Sequence, residues 1–362
     1  MNKAIFLGAL ASALATNAMA EEVPFSSERW EFGGEYRVEE HEGREAIFLN
    51  NGIARLEDVQ FKDGTIEYDI LLPSNDRGFS GIYWRLRDRL HGEDFYVRHH
   101  QSGNADANQY SPLFNGSAAW QLYYGPQYAV PTPYKYNEWM HIKIVSRDDE
   151  ADIYIDSDTP TLRVNLKNEN LPGGISVWSA FAPAWFANFS YEAGEPEIIG
   201  ATPEPFPDLV PGAITDWQIS NAFAEANLEN VFELTPEEHT WTLLMVEDKG
   251  YANMARIQGS SEEANTAFAK ITITADEATS RNISFGYSDR VKVYLNGRLV
   301  YSGNNGYQTR DYRYLGTVGL FDTAALHLDE GENELLFAVS ESFGGWGIMA
   351  AIENRQGLTI SP

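Results

Sequence analysis

Arg77 to Gly125 reads RGFSGIYWRLRDRLHGEDFYVRHHQSGNADANQYSPLFNGSAAWQLYYG, and the alternation of its residues decides how the rest of the chain is understood. Ile82, Trp84 and Leu86 fall on one face of a first strand-like run, with Tyr83, Arg85 and Arg87 on the other. In a second run Phe95 and Val97 oppose Tyr96, Arg98 and His100. In a third, Trp120 and Leu122 oppose Gln121 and Tyr123. Loops rich in Gly, Asn, Ser and Asp join the runs, so the spacing predicts three neighbouring antiparallel strands that share one polar, aromatic face.

Such a face reads in two ways. An antiparallel sheet with one face on the core ordinarily turns polar residues to water. A merely solvated face of so acidic a chain is expected to carry Glu, Lys and Thr, whereas this one carries Arg, His, Gln and Tyr. Planar side chains of that kind stack on sugar rings, and Arg pairs bidentately with carboxylate or sulfate. Tyr83, Arg85, Tyr96, Arg98, His100, Gln121 and Tyr123 are therefore the candidate ligand-binding set.

The chain begins with a secretory signature: Lys3, the apolar run AIFLGALASAL, and Ala18-Met19-Ala20 as an A-x-A cleavage site. The mature chain is expected to start near Glu21, in a periplasmic or extracellular setting. No later segment approaches the ~20 apolar residues of a spanning helix, so no membrane insertion is expected. Cysteine is absent, which excludes disulfides, a cysteine-linked lipid anchor and thiolate chemistry. A formal net charge of -27 leaves no basic footprint for nucleic acid. Against it stands one local exception, five Arg between Arg77 and Arg98, to which an anionic ligand would be drawn. Nothing in the sequence indicates the oligomeric state.

Glu192 to Pro211, EAGEPEIIGATPEPFPDLVP, holds five prolines and no periodic apolar pattern, so residues 192–212 read as a semi-rigid linker. It separates residues 21–191 from residues 213–362. The first part shows short alternating runs broken at Gly43-Arg44, Asn51-Gly52 and Asp63-Gly64, and the second repeats the style with Leu295-Asn296-Gly297-Arg298 as a tight hairpin turn. The fold class is thus all-β, with two sandwiches of jelly-roll type.

The order GTIEYDILLP, FSGIYWRLRD, FYVRHH, EWMHIKIV, ADIYID and AWFANFSYE resembles the laminin-G-like, concanavalin-A-like lectin and glucanase jelly roll, including bacterial domains related to 3-keto-disaccharide hydrolases. The resemblance implies two curved sheets with a glycan or protein held on the concave face or its rim loops, and places the polar face on the concave side. In the second part, SDRVKVYLNGRLVY followed by LDEGENELLFAVSESFGGWGIMAAIE resembles the galactose-binding-like jelly roll, a fold shared by sugar binders and purely structural appendages. Tyr307, Arg310, Asp311, Glu341 and Trp346 are its candidate contacts, Trp346 reading equally as a sugar stack or as core.

Catalytic signals are thin. Family 16 glycosidases carry three carboxylates on one strand, and this chain offers Glu67-Tyr68-Asp69 with Ile70, Leu71 and Leu72 where the third should stand. His99 and His100 alternate along one run and cannot both ligate a metal with His91 and Asp94 from it, so no metal site is expected. The loop Ser102 to Asn108 carries oxygen ligands at alternating spacing and could hold calcium, though it reads equally as a plain turn-rich loop. The reading that follows is an exported carbohydrate-binding protein that takes a polysaccharide or oligosaccharide, an anionic one included, on the first sandwich, with the second as auxiliary. The alternative is a glycan-degrading enzyme in the same groove: a hydrolase, or a lyase with Arg98 neutralising a uronate and His100 or Tyr123 taking the proton. A third class, a surface adhesin for protein, lacks a long exposed apolar run.

Overall fold

The computed structural model describes residues 20–234 and 238–362, so the leader expected over residues 1–20 lies, but for Ala20, outside them. The described residues are strands, loops and three short 3-10 turns, and no helix among them is long and apolar enough to cross a membrane.

One long strand, Arg44–Phe61, organises the first sandwich. Its early residues, Ala46 to Leu49, pair with Ala184 to Ala187, and its later ones, Gly52 to Leu56, pair with Ile175 to Ser179. The change of partner falls at Asn51-Gly52, where the sequence signals a hairpin turn. No turn forms there. Asn51 adopts φ +46 inside a continuing strand, and Gly34 of the neighbouring strand lies so close that a Cβ on it would meet the Asn51 carbonyl at 2.1 Å. The positive φ that an Asn-Gly pair tolerates bends the strand from one layer into the other.

On one side of this strand the antiparallel order continues through Ala184–Ala193, Gly64–Leu71, Trp139–Arg147, Glu150–Ile155 and Leu162–Asn165. On the other it continues through Gly173–Ala180, Phe79–Arg87 and His91–Arg98. The two wings close over a core that joins Ile66, Tyr68 and Ile142 from the first to Ile82, Trp84, Phe95 and Val177 from the second. Ile82, Trp84, Phe95 and Val97 are thus inward as their alternation requires.

Beyond residue 213 the strands form a seven-stranded and a four-stranded sheet that share a core built on Trp217, Ile271, Phe285, Val293, Phe337 and Trp346. Asn296 and Gly297 both take positive φ between paired Leu295 and Arg298, the two-residue turn that the Asn-Gly signal predicts. The all-β class expected from the sequence is the architecture observed.

The two sandwiches are docked, not strung. Tyr251 and Ala255 belong to the hydrophobic core of the first sandwich, with Val318 and Met349 packed against it. The Pro-rich segment lies along the first sandwich: the Ile199 and Gly200 N–H groups donate to Asp152 Oδ2, Arg163 donates to the Gly200 carbonyl, and the Phe206 ring sits 5.8 Å from that of Tyr128.

Candidate functional site

The outward face of Phe79–Arg87, His91–Arg98 and Gly173–Ala180 meets the loops around Tyr307 and Phe343 at a cavity of about 230 Å³. From the first sandwich it is lined by Phe79, Tyr83, Asp94, Tyr96, Arg98 and His100, with Trp120, Trp178 and Phe181; from the second by Tyr307, Leu315 and Phe343. Strand pairing explains the first group. Tyr83 stands opposite Asp94, and Ser176 of the third strand is the Cα partner of Tyr83 on its other side, so neighbouring Trp178 reaches the same face. The rings of Tyr83 and Trp178 stack with centroids 5.7 Å apart. Phe79 meets Tyr96, His100 and Phe181 edge-on at 5.9, 5.5 and 5.7 Å.

Two cations border these rings without a salt bridge among the described residues, while Asp94 and Asp106 also belong to the lining. Arg98 is 6% exposed and donates to the Asp106 carbonyl at 2.9 Å, the Tyr96 hydroxyl at 3.1 Å and Gln109 Oε1, all neutral acceptors. Arg77 lies over the rings of Phe181 and Tyr307 at 5.7 and 5.8 Å. Among the described residues neither guanidinium has a carboxylate within salt-bridge distance, unlike Arg85, Arg87 and Arg89 of the same stretch. Burial, then the charges of Arg77 and Arg98, hold His100 below the ordinary histidine range, so it presents a neutral imidazole. Burial pushes the Tyr96 phenol up to about 12. Asp94 is buried with one side-chain partner, the Trp178 Nε1–H at 3.0 Å, and burial drives its carboxyl well above the usual carboxylate range.

The structure brings Tyr83, Tyr96, Arg98, His100 and Tyr307 together, and places the other expected contacts elsewhere. Arg85 sits at a β-bulge with φ +49, where the pairing slips between Trp84 and Arg87; the alternation breaks, and the side chain turns inward to the Lys62 carbonyl at 2.6 Å and Asp63 at 2.9 Å. Gln121 and Tyr123 are not on a strand. The run after Ser117–Ala118 is a turn closed by Leu122 and Tyr123 N–H groups onto the Ala119 carbonyl, so strand alternation does not apply. Trp120, expected in the core, lines the cavity, while Gln121 and Tyr123 are buried between the sandwiches. Gln121 donates to the Leu315 carbonyl and accepts from Ser288; Tyr123 donates to Glu247 and accepts from Asn253. Burial inside that network raises the Tyr123 hydroxyl well above its ordinary value and removes it as a proton acceptor for lyase chemistry.

In the second sandwich Arg310 pairs with Asp322, and Asp311 with Arg313. Trp346 is core, its indole N–H given to the Val339 carbonyl. Glu341 is buried and accepts from the Gly345 N–H; burial, with Asp289 beside it, raises its pKa to about 8. None of these reaches the cavity.

Glu67 and Asp69 share an outward strand face as their spacing requires, but His141 lies between them, 3.2 Å from Glu67 and 2.9 Å from Asp69. Arg44 and Asn188 also bind Asp69, and Leu71, where a third carboxylate would stand, is buried among Ala46, Trp185 and Ala187. The pair belongs to an ion-pair network. The Ser102 to Asn108 loop spends Asn108 on Val130 and Thr132, and among the described residues no three His, Asp or Glu side chains converge as metal ligands. His99, beside His100 on a 3-10 turn, faces inward to Ser80 Oγ at 2.9 Å, and burial lowers it to about 4.

Trp178, Phe181 and Phe343, and the place of Trp120, escape sequence reading. The only hint is the aromatic run Trp178-Ser179-Ala180-Phe181, which lies far from the central stretch in the chain.

No protein-family profile and no curated protein matches the chain. Among solved structures, the carbohydrate-binding module CBM66 from Bacillus subtilis is similar at 21% identity and TM-score 0.33, over 46% of this chain and 96% of that one. A Bacillus licheniformis β-glucanase is similar at 13% identity and TM-score 0.37, over 50% of this chain and 100% of that one. A native glycosidic hydrolase is similar at 14% identity and TM-score 0.38, over 50% of this chain and 98% of that one.

Proposed function

We propose that this chain is an exported carbohydrate-binding protein that takes a polysaccharide or oligosaccharide in the cavity between its two sandwiches, with anionic sugars favoured. The observation that carries the reading is the pairing of stacked aromatic walls with Arg77 and Arg98, which have no carboxylate partner among the described residues. Aromatic faces bind the apolar face of a sugar ring, and a guanidinium fixed in place by neutral acceptors has its charge free for a uronate or sulfate oxygen. In a chain of formal net charge -27 overall, this cationic mouth stands out electrostatically to an approaching anion. The second sandwich is one wall of the site in this reading rather than an appendage. Titration calorimetry with neutral, uronate-containing and sulfated oligosaccharides tests it, each mixture also assayed for released product. Binding of the charged sugars, weakened by salt, is the expected result. Failure of every sugar class to bind removes the proposal, and product release assigns the protein to the enzymes instead.

A further inference from the structure

The cavity is not uniform along its depth. At one end Asp94 is 1% exposed and Tyr96 6%; at the other Phe181 is 65% and Phe343 49% exposed, with Arg77 over the Phe181 ring. The lining therefore runs from buried floor to open rim. Its volume of about 230 Å³ falls below the roughly 300 to 1,000 Å³ of ordinary ligand pockets, so it admits little more than a single sugar unit. Trp120, Tyr307 and Phe343 contact one another at 5.9 to 6.1 Å and form a second aromatic group in the lining beside the Tyr83 and Trp178 stack.

Resting on the saccharide reading, we propose that this cavity receives the terminus of a saccharide chain, and that Asp94 is the residue that reads the terminal unit. A chain threaded through needs two open ends, whereas here exposure rises from buried Asp94 and Tyr96, through half-buried His100, Gln101 and Asp106, to exposed Arg77, Phe181 and Phe343. Asp94 stands there without a cation: its one side-chain hydrogen bond is from the Trp178 indole, and Arg98 is held by neutral groups. Burial drives its carboxyl well above the usual carboxylate range and so favours the protonated form, with one oxygen engaged by Trp178 and an O–H to give. A buried acid that favours its proton lowers folding stability as pH rises above the ordinary value of 3.8, because the unfolded chain releases that proton there. Such a cost is intelligible at a ligand-reading position.

The decisive experiment uses the full chain and a series of oligosaccharides of one repeat but increasing length, drawn from a sugar class shown to bind. Terminus recognition requires one protein bound per chain end at every length; sites that increase in proportion to length overturn it, while leaving saccharide binding itself intact. If no sugar class binds, the underlying functional proposal fails, a result distinguishable from either. The role of Asp94 is read separately. Asp94→Asn keeps an acceptor for Trp178 and a donor for the ligand, so its affinity should stay within about threefold, and its melting temperature at pH 8 should rise, while Asp94→Ala should bind about tenfold or more weakly. Equal loss in both variants would mean that the site uses an ionised Asp94, and would overturn its role as donor.

Discussion

The ring of Tyr307, from the second sandwich, meets the indole of Trp120, from the first, edge-on with centroids 6.1 Å apart. Tyr307 also lies 5.9 Å from Phe343 and under the guanidinium of Arg77. The cavity wall is therefore composite, and a residue outside the first sandwich should control its ligand. Tyr307→Ala is expected to weaken saccharide binding by about tenfold, since an aromatic contact is worth roughly 0.5 to 1.5 kcal/mol beyond its buried area. Because Tyr307 is half-exposed, the melting temperature should change little. Unaltered affinity in calorimetry would show that the wall is not used.

Arg77 and Arg98 should part company under mutation. Among the described residues the Arg77 guanidinium has ring contacts and no salt bridge, so Arg77→Ala should lower affinity for a uronate or sulfated sugar, leave affinity in the neutral series unchanged, and leave stability intact. Arg98→Ala removes the donor shared by the Asp106 carbonyl, the Tyr96 hydroxyl and Gln109 Oε1, of which the last two keep their bond to each other, and should cost about 1 to 3 kcal/mol of folding as well as binding. Urea unfolding run beside binding measurements separates the two; a stable Arg98→Ala protein would contradict the hydrogen-bond account.

Arg85 should behave as a structural residue. It is buried against the Lys62 carbonyl and Asp63, so Arg85→Ala strips the donor from that carbonyl and leaves Asp63 only the Asp148 N–H and the Lys62 ammonium, with an expected loss of about 3 kcal/mol. Material that remains folded should bind sugar normally. Lost binding with an unchanged unfolding midpoint would return Arg85 to the ligand face.

His141 supplies a pH signature. The Asp69 hydrogen bond raises its pKa, burial opposes this, and the charges of Asp69 and Glu67 add to the rise. A base whose folded value is raised contributes fully below its unfolded value of 6.5 and loses that contribution as pH climbs through the folded value. Asp69 works in the opposite window: burial alone would raise it, but bonds from His141 and Asn188 with the Arg44 charge bring it below the usual range, so its contribution is lost on acidification. His141→Asn should flatten the stability profile above about pH 6.5, and an unchanged slope there would show that the ion pair is energetically silent.

Cleavage in the exposed stretch 201–210 is expected to leave the halves together. Lys167 pairs with Asp248, Tyr123 donates to Glu247, and Tyr251 is part of the first core. After limited proteolysis the fragments should co-elute in size exclusion, separating only on denaturation. Separation in native buffer would contradict a docked arrangement.

The sequence by itself determined the local matters. Alternation put Ile82, Trp84, Phe95 and Val97 inward and Tyr83, Tyr96 and Arg98 outward, because side-chain direction along an extended strand depends only on residue parity. Asn296-Gly297 formed its turn because both residues tolerate positive φ without outside help. Parity fails wherever backbone geometry departs from a strand. It fails at the Arg85 bulge and in the turn from Ala119 to Tyr123, and Asn51-Gly52 became a bend because the strand found partners in both layers. Only the tertiary structure decided that Trp178 stands beside Tyr83, that Trp120 faces a cavity, and that Tyr307 and Phe343 close it. Those contacts join residues far apart in the chain, and they follow from strand order and sandwich docking, which burial of the whole core selects and no local pattern encodes.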